Sequence, residues 1–504
     1  TTAPTTGASS GGETQTASES AESGKITKTD IVVGQASDIV TLDPAGQQDT
    51  TSGVLMKHAY STLLDVDNEG KVVPDLAESY EMKSDTEYVF KLREDACFWD
   101  GTPVTAQDVK FSLDRAKGMP KTKSNTSKIE EVTVNGDHEV TIKLTEPYAA
   151  FKTIVTQHNL SILSEKAVTE AGDSYGDVDN LLGSGPFKVT EWVPNDHYTL
   201  VRNDNYWGEM PIATSITCRV IPEGSARTIA LEAGEIDVVW SVDPTDCANV
   251  ESNPDVKLLS QPSTGIDYVG MNTQKEKFSD KRVRQAINYA LDKQTFVDTI
   301  IEGRGLVANS YINAAIPGWT DEVEAYPYDP EKAKELLAEA GYPDGFECSI
   351  FVNGDLRTRS AQILQAQLAD VGIKVDISTY EWGALLDTLN AGEHEMFLLG
   401  WSNTSFDPDG STYQLFYSGN HGATGNRAFF SNDKVDELIL SAQRESEESK
   451  RMELYKELQF VLHDESPWCP LYYKENNVGV RADLKGFTLH AGAQHYLGNC
   501  HYEE

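Results

Sequence analysis

The chain reads as an α/β protein of more than one lobe, and three observations predict this. At 504 residues it exceeds what a single hydrophobic core organises, so two or three domains are expected. After Asp280, segments of helical period alternate with short strand-like runs, the pattern of an α/β lobe. Before it, short alternating strands dominate residues 80–144 and 186–270, which calls for a second lobe of different build.

The elements follow in order. Residues 1–24 contain no Lys or Arg and are mostly Thr, Ser, Gly, Glu and Ala, so they cannot bury enough surface to fold and read as a flexible tether. They lack the apolar stretch of a signal peptide. A strand at Ile31–Val33 starts the ordered chain near Thr29, followed by the polar loop Thr41–Thr50 and a helix from about Gly53 to Leu63. Tyr88, Phe90 and Leu92, then Val140, Ile142 and Leu144, alternate as half-buried strands do. Between them Thr105 with Asp108 three residues on is a capping-box spacing. Gly183-Ser-Gly-Pro-Phe187 turns into a strand, and a helix follows at Ala226–Ala233.

Val283, Ala286, Ile287, Ala290, Leu291 and Val297 recur at helical spacing behind Asp280 as cap. Asp329-Pro330 opens a helix that Gly341 closes. A helix over Ser360–Val371 ends at Gly372 and feeds the strand Ile373–Ile377. Met396–Leu399 is an apolar run fit for a buried strand, and helices follow near Val435–Arg444 and Arg451–His463. From Leu471 the chain returns to strand and loop.

A net charge of −38 argues against nucleic-acid phosphates and anionic lipid surfaces as partners, and fits a soluble extracellular setting. An acidic cleft for cationic ligands would need those charges gathered in one place. No apolar run is long enough to span a bilayer. The six cysteines (97, 218, 247, 348, 469 and 500) show no zinc-type spacing; scattered reduced thiols are expected, with Cys218–Cys247 or Cys469–Cys500 as pairs that bridging would allow. His490, His495 and His501 beside Cys500 match no standard metal site and are expected to be solvated, so neither a metal nor a cofactor is expected.

No nucleophile elbow, phosphate-binding loop, zinc-protease helix or dinucleotide fingerprint occurs, so no catalytic residue is assigned and the chain does not read as an enzyme. The segment 357–417 gathers what a zwitterionic peptide requires. Arg357 and Arg359 offer guanidiniums for a carboxylate, Asp407 and Asp409 offer carboxylates for an ammonium, and Trp382 and Trp401 offer apolar walls. The same residue types also occur as ordinary core and surface in such lobes.

Several blocks in fixed order carry a resemblance: Phe98-Trp-Asp-Gly-Thr-Pro through Arg115, Gly183-Ser-Gly-Pro-Phe with Asn203-Asp-Asn-Tyr-Trp-Gly208, Leu231-Glu-Ala-Gly-Glu-Ile-Asp237, and Val283-Arg-Gln-Ala-Ile-Asn-Tyr-Ala-Leu-Asp292. With these the chain resembles the extracytoplasmic solute-binding proteins of peptide-type ABC importers from about Thr29 to its end. Its stretch Thr379–Asp409 looks most like the dipeptide-binding branch.

That resemblance implies a periplasmic-binding-protein-like fold of type II, two lobes joined by a hinge, with an extra subdomain inserted. On this chain it implies a tether over 1–28, lobe I over 29–70, 186–270 and 471–504, the inserted subdomain over 71–185 and lobe II over 271–470. The hinge falls near Asp267–Asn272 and Leu471–Lys474. It further implies a monomeric receptor that clamps a di- or oligopeptide between lobes and hands it to the importer's membrane subunits. A lipid-modified cysteine ahead of Thr1 would anchor it at the surface of a Gram-positive-type cell; the periplasm is the alternative. A metal-chelate or other non-peptide solute, and an extracytoplasmic hydrolase or peptide-handling chaperone, stay as rivals.

By the same analogy the ligand residues are Gln48, Asp49 and Thr50 in one loop, Trp240 and Ser241, Arg357 or Arg359 for the carboxylate, and the segment Gly400, Trp401, Ser402 and Asn403. Tyr268 and Tyr473 fall at the hinge strands. One departure stands out. Where peptide binders carry an aspartate three residues after the Gly-Trp tryptophan, this chain has Thr404, leaving Asp407 or Asp409 to substitute. Nickel-binding relatives have a histidine after their Asp-Pro, and here that place is Asp409.

Overall fold

The structure is a computed structural model and describes residues 25–504; the expected tether over 1–28 lies almost wholly outside them. A path of paired strands runs through the molecule. It starts at Ile373–Thr379 and passes through Phe346–Val352, Met396–Ser402 and Gly265–Met271 to the long strand Trp468–Arg481. It continues through Val238–Val239, Asp30–Gln35, Ser215–Val220 and His197–Arg202 to Phe187–Val193.

Two lobes share that path, and the 14-residue strand Trp468–Arg481 belongs to both. Its first part pairs antiparallel with Gly265–Met271, and its second part with Val256–Pro262. Leu471 and Tyr472 therefore pack in one core, and Val478 and Val480 in the other. The chain crosses again at Ser263–Thr264. There the Ser263 hydroxyl donates to the Lys474 carbonyl at 2.7 Å, tying the two crossings together.

The second lobe is covered on both faces. Val269, Met396 and Leu398 pack against helices Lys281–Ala290, Pro330–Glu339 and Gly354–Ala369, while Tyr268, Phe397 and Leu399 pack against Trp382–Asn390, Asp433–Arg444 and Glu448–Glu465. Burial on both sides explains why every residue of Gly265–Met271 is buried, rather than alternate ones. Each large apolar side chain so buried contributes roughly 1.5–3 kcal/mol.

The first lobe packs Ile31, Val33, Phe187, Tyr198 and Ile216 against helix Thr50–Ala59. Inserted beside it is a four-stranded antiparallel sheet in the order Ala77–Ser84, Glu87–Leu92, Glu139–Leu144, Ile129–Gly136. Tyr88, Phe90, Leu92, Val140, Ile142 and Leu144 all turn inward there, onto Val109 and Leu113 of helix Ala106–Lys117. At its start the Asp108 carboxylate accepts from the Thr105 backbone N–H at 2.9 Å, as the spacing predicts.

Other start and stop signals also act as read. Asp280 accepts from the Arg282 N–H, and Asp329 from the Lys332 N–H, at the starts of their helices. Three boundaries differ: Val297 lies on a separate helix, Lys293–Thr299, because Asp292 caps a new start there; the helix expected over Ser360–Val371 runs Gly354–Ala369; and the one expected from Gly53 to Leu63 runs Thr50–Ala59, where Asp49 caps it.

All six cysteines are free, so neither candidate pair is bridged; only Cys97 is partly exposed. The expectation of solvated C-terminal histidines does not hold for two of them. His490 and His495 are 3% and 4% exposed. His490 Nδ1 accepts from the Gly492 N–H, and His495 Nδ1 from the His490 N–H. The chain end is packed into the first core, which leaves no solvent for them.

Candidate functional site

A cavity of about 350 Å³ lies where the lobes meet. Its walls come from the loop before helix Thr50–Ala59 (Gln48, Asp49), strand residues Asp267 and Gly400–Ser402, and Arg357 and Trp382 on the starts of two helices. Lys474 of the shared strand closes one side. A larger depression of about 570 Å³ runs along helix Glu448–Glu465, but it is an open surface groove between Lys and Glu side chains.

The loop is held from outside the cavity. Arg115 grips Asp43 with both terminal nitrogens, at 3.0 and 2.6 Å, so the end of the block Phe98–Arg115 fixes the segment that carries Gln48 and Asp49. Asp49 caps the helix by accepting from the Ser52 N–H at 2.9 Å. Its second oxygen is buried without a hydrogen-bond partner, and burial pushes this carboxyl above the usual range. Ser241, exposed at the cavity edge, holds a left-handed φ of 57°, a conformation that costs a non-glycine residue energy and turns the chain sharply there.

Asp267 is the acidic centre, and it is a residue the sequence reading placed only in the hinge. It is 1% exposed, and neither carboxylate oxygen has an aligned hydrogen bond, although Lys474 Nζ stands 2.8 Å from Oδ2. Gly400 is its direct cross-strand neighbour. A Cβ at 400 would come within 3.1 Å of Asp267 Oδ1, so glycine there gives the carboxylate its room.

Arg357 lines the same cavity. Its Nη1 donates to Asn353 Oδ1 at 2.7 Å, and its guanidinium carbon lies 5.9 Å from the centre of the Trp382 ring. It makes no ion pair among the described residues, and its Nε is buried without a partner. A second guanidinium, Arg427, also lines the cavity. The charged lining is thus three cations, Arg357, Arg427 and Lys474, against two carboxylates, Asp49 and Asp267. Despite the net charge of −38, this is not an acidic cleft for cations.

The predicted residues divide cleanly. Gln48, Asp49, Thr50, Ser241, Arg357, Trp382, Gly400, Trp401 and Ser402 line the one cavity. Trp240 lines a neighbouring cavity of about 190 Å³ that shares Thr50, Ser241 and Lys474, and its ring stacks on His495 at 5.1 Å.

The others are committed elsewhere. Arg359 pairs across the lobes with Asp243, at 2.7 and 2.9 Å. Tyr268 stacks on Trp468 in the core, and the Tyr473 hydroxyl sits 2.9 Å from the Ile312 carbonyl. Asn403 donates to the Asp407 carbonyl and the Ser411 hydroxyl, which folds its own loop.

Neither expected substitute for the missing aspartate faces the cavity. Asp407 is clamped by Arg451, with Nη1 at 2.9 Å. Asp409, 1% exposed, accepts from the Tyr148 hydroxyl at 2.6 Å and from Gln443 Nε2 at 2.9 Å. Thr404 itself donates to Gln157 Oε1 of the inserted subdomain at 2.9 Å. That bond, with Arg359–Asp243 and Tyr148–Asp409, spans from one side of the cleft to the other.

Comparison with known proteins agrees with this architecture. Residues 71–423, more than half of the chain, match the family model described as bacterial extracellular solute-binding proteins, family 5. The chain belongs to that family. It is 32% identical over 479 residues to the glutathione-binding protein GsiB of Shigella boydii, covering 91% of this chain and 92% of that one. It is 30% identical over 470 residues to the dipeptide-binding protein of Escherichia coli K12, covering 86% of each. Among solved structures it superposes with TM-score 0.90 and 28% identity on the periplasmic binding protein DppA of Helicobacter pylori in complex with the peptide STSA, over 94% of this chain and 98% of that one. As a family member, this receptor-type protein is extracytoplasmic.

Proposed function

We propose that this protein is the substrate-binding receptor of an ABC importer, capturing a short peptide between its lobes and delivering it to the membrane subunits. One observation carries the reading: a guanidinium without an ion-pair partner, Arg357, and a buried, poorly satisfied carboxylate, Asp267, line the same interlobe cavity. A peptide zwitterion supplies a carboxylate to Arg357 and an ammonium that shares Asp267 with Lys474, the role the sequence left vacant at Thr404. Gly400–Ser402, half-buried and paired along one edge to Gly265–Asp267, keeps its other edge without a strand partner among the described residues, open to the peptide bonds as in strand addition. A cavity near the small end of the ligand-pocket range suits a di- or tripeptide over a long chain. The relatives that bind glutathione and dipeptides support the same size class.

The bonds from Thr404, Arg359 and Asp409 across the cleft are those a closed receptor makes, and the Ser263–Lys474 crossing is where the lobes pivot in this reading. Ligand contacts to both sides shift the population toward that closed form. The chain acts as a monomer tethered by its N-terminal segment through a lipid anchor. The test is mass spectrometry of protein purified without denaturation, followed by incubation with a short-peptide library. Bound short peptides, returned intact, support a receptor; a bound metal chelate, no peptide, or cleaved peptides would overturn it.

A further inference from the structure

Arg427 narrows the ligand if the peptide-receptor reading holds. It is 5% exposed and lines the interlobe cavity. Its Nε donates to Asn390 Oδ1 at 3.0 Å, and its backbone carbonyl accepts from His394 Nε2 at 2.9 Å, so the side chain is held at its base. The two terminal nitrogens make no hydrogen bond or ion pair among the described residues.

The surroundings add to the cost of an unpaired guanidinium. Lys121 of the inserted subdomain is close enough for its charge and that of Arg427 to repel, and it too has no carboxylate at ion-pair distance among the described residues. Asp49 and Asp387 are the acidic groups whose charges reach this pair. Asp49 is occupied in capping its helix, and burial favours its neutral form. A buried guanidinium without an anion is strongly unfavourable, and a fork-shaped donor held at its base suits a carboxylate.

The charge count points the same way. Lys474 and Asp267 already stand as a pair, at 2.8 Å. A simple zwitterion adds one charge of each sign and leaves the cavity's cationic excess in place. We infer that the ligand carries two carboxylates and one ammonium, as a short peptide with an acidic residue does, and that Arg427 takes the second carboxylate.

The test is calorimetric titration of the full chain with matched pairs, Ala-Glu against Ala-Gln and Glu-Ala against Gln-Ala. In the native protein the acidic member of at least one pair binds tenfold or more tighter than its amide. In Arg427→Gln that preference falls to within about twofold, and Arg427→Lys keeps part of it. Equal binding of acid and amide in both native pairs overturns the inference while leaving the peptide receptor standing. Binding of none of the four peptides overturns both. The native comparison decides even where a variant fails to fold.

Discussion

Lys474 Nζ stands 2.8 Å from Asp267 Oδ2, one residue on the strand shared by the lobes and the other on the strand beside it. In the proposed reading a ligand ammonium shares this carboxylate with Lys474, since its oxygens have no aligned hydrogen bond among the described residues. Asp267→Asn should therefore weaken a peptide with a free amine by about 2–5 kcal/mol. An N-acetylated version of the same peptide, already weak, should change little. Calorimetry on both peptides checks this, and equal losses for the two would reject Asp267 as the ammonium partner.

The two arginines that looked equivalent in sequence should part company. Arg357 lines the cavity unpaired, so Arg357→Ala should cost about 2–5 kcal/mol in peptide binding. Arg359 spans the rim to Asp243 with its side chain 35% exposed, and a screened pair of that kind is worth no more than about 1 kcal/mol. Affinities of the two variants, measured side by side, should differ by about fivefold or more.

Acid should destabilise the protein through its buried histidines. Burial lowers His58, His394 and His490 to about 4, and His158 and His495 to about 3. Below about pH 6.5 the unfolded chain binds protons that these folded imidazoles refuse, so stability falls with pH. Groups whose values are raised in the fold oppose this, Asp49 and the partly exposed His197 among them. Burial raises Asp409 to about 6 and Asp75 to about 7, so each holds a proton in the fold that the unfolded chain has released, and stability falls as pH rises through that range. Five histidines outweigh these few raised groups, each proton being worth about 1.4 kcal/mol per pH unit. Tm should be lower at pH 5 than at pH 7, with protons taken up on unfolding; an equal or higher Tm at pH 5 would contradict this balance.

The thiols give an independent check on the packing. With all six cysteines free and five buried, a thiol reagent should label at most one site, Cys97, in the native protein. Burial raises the Cys97 pKa, so even that site should react slowly. Denaturation without reductant should expose six; a count of four would mean that a pair is bridged.

Much of the fold was legible because its signals are local. Thr105 with Asp108, Asp280, and Asp329 with Pro330 each act within a few residues of where they stand. The cavity loop and the Gly400–Ser402 segment could be named from motif order. Asp267 could not, because its meaning depends on Gly400 and Lys474, brought beside it only by sheet pairing. Asp407 and Asp409 misled for the same reason: Arg451, Tyr148 and Gln443 claim them from distant parts of the chain, and spacing carries no trace of that. The burial of His490 and His495 likewise comes from the chain end folding back on the first lobe.

The central claim is that both ends of a short peptide are gripped by opposite charges within one closed cleft. Calorimetric titration with one tripeptide in three forms, free at both ends, N-acetylated and C-amidated, tests it most directly. The free peptide should give a saturable heat, and each blocked form should bind tenfold or more weaker. Equal affinity for all three, or no heat with any, would contradict it.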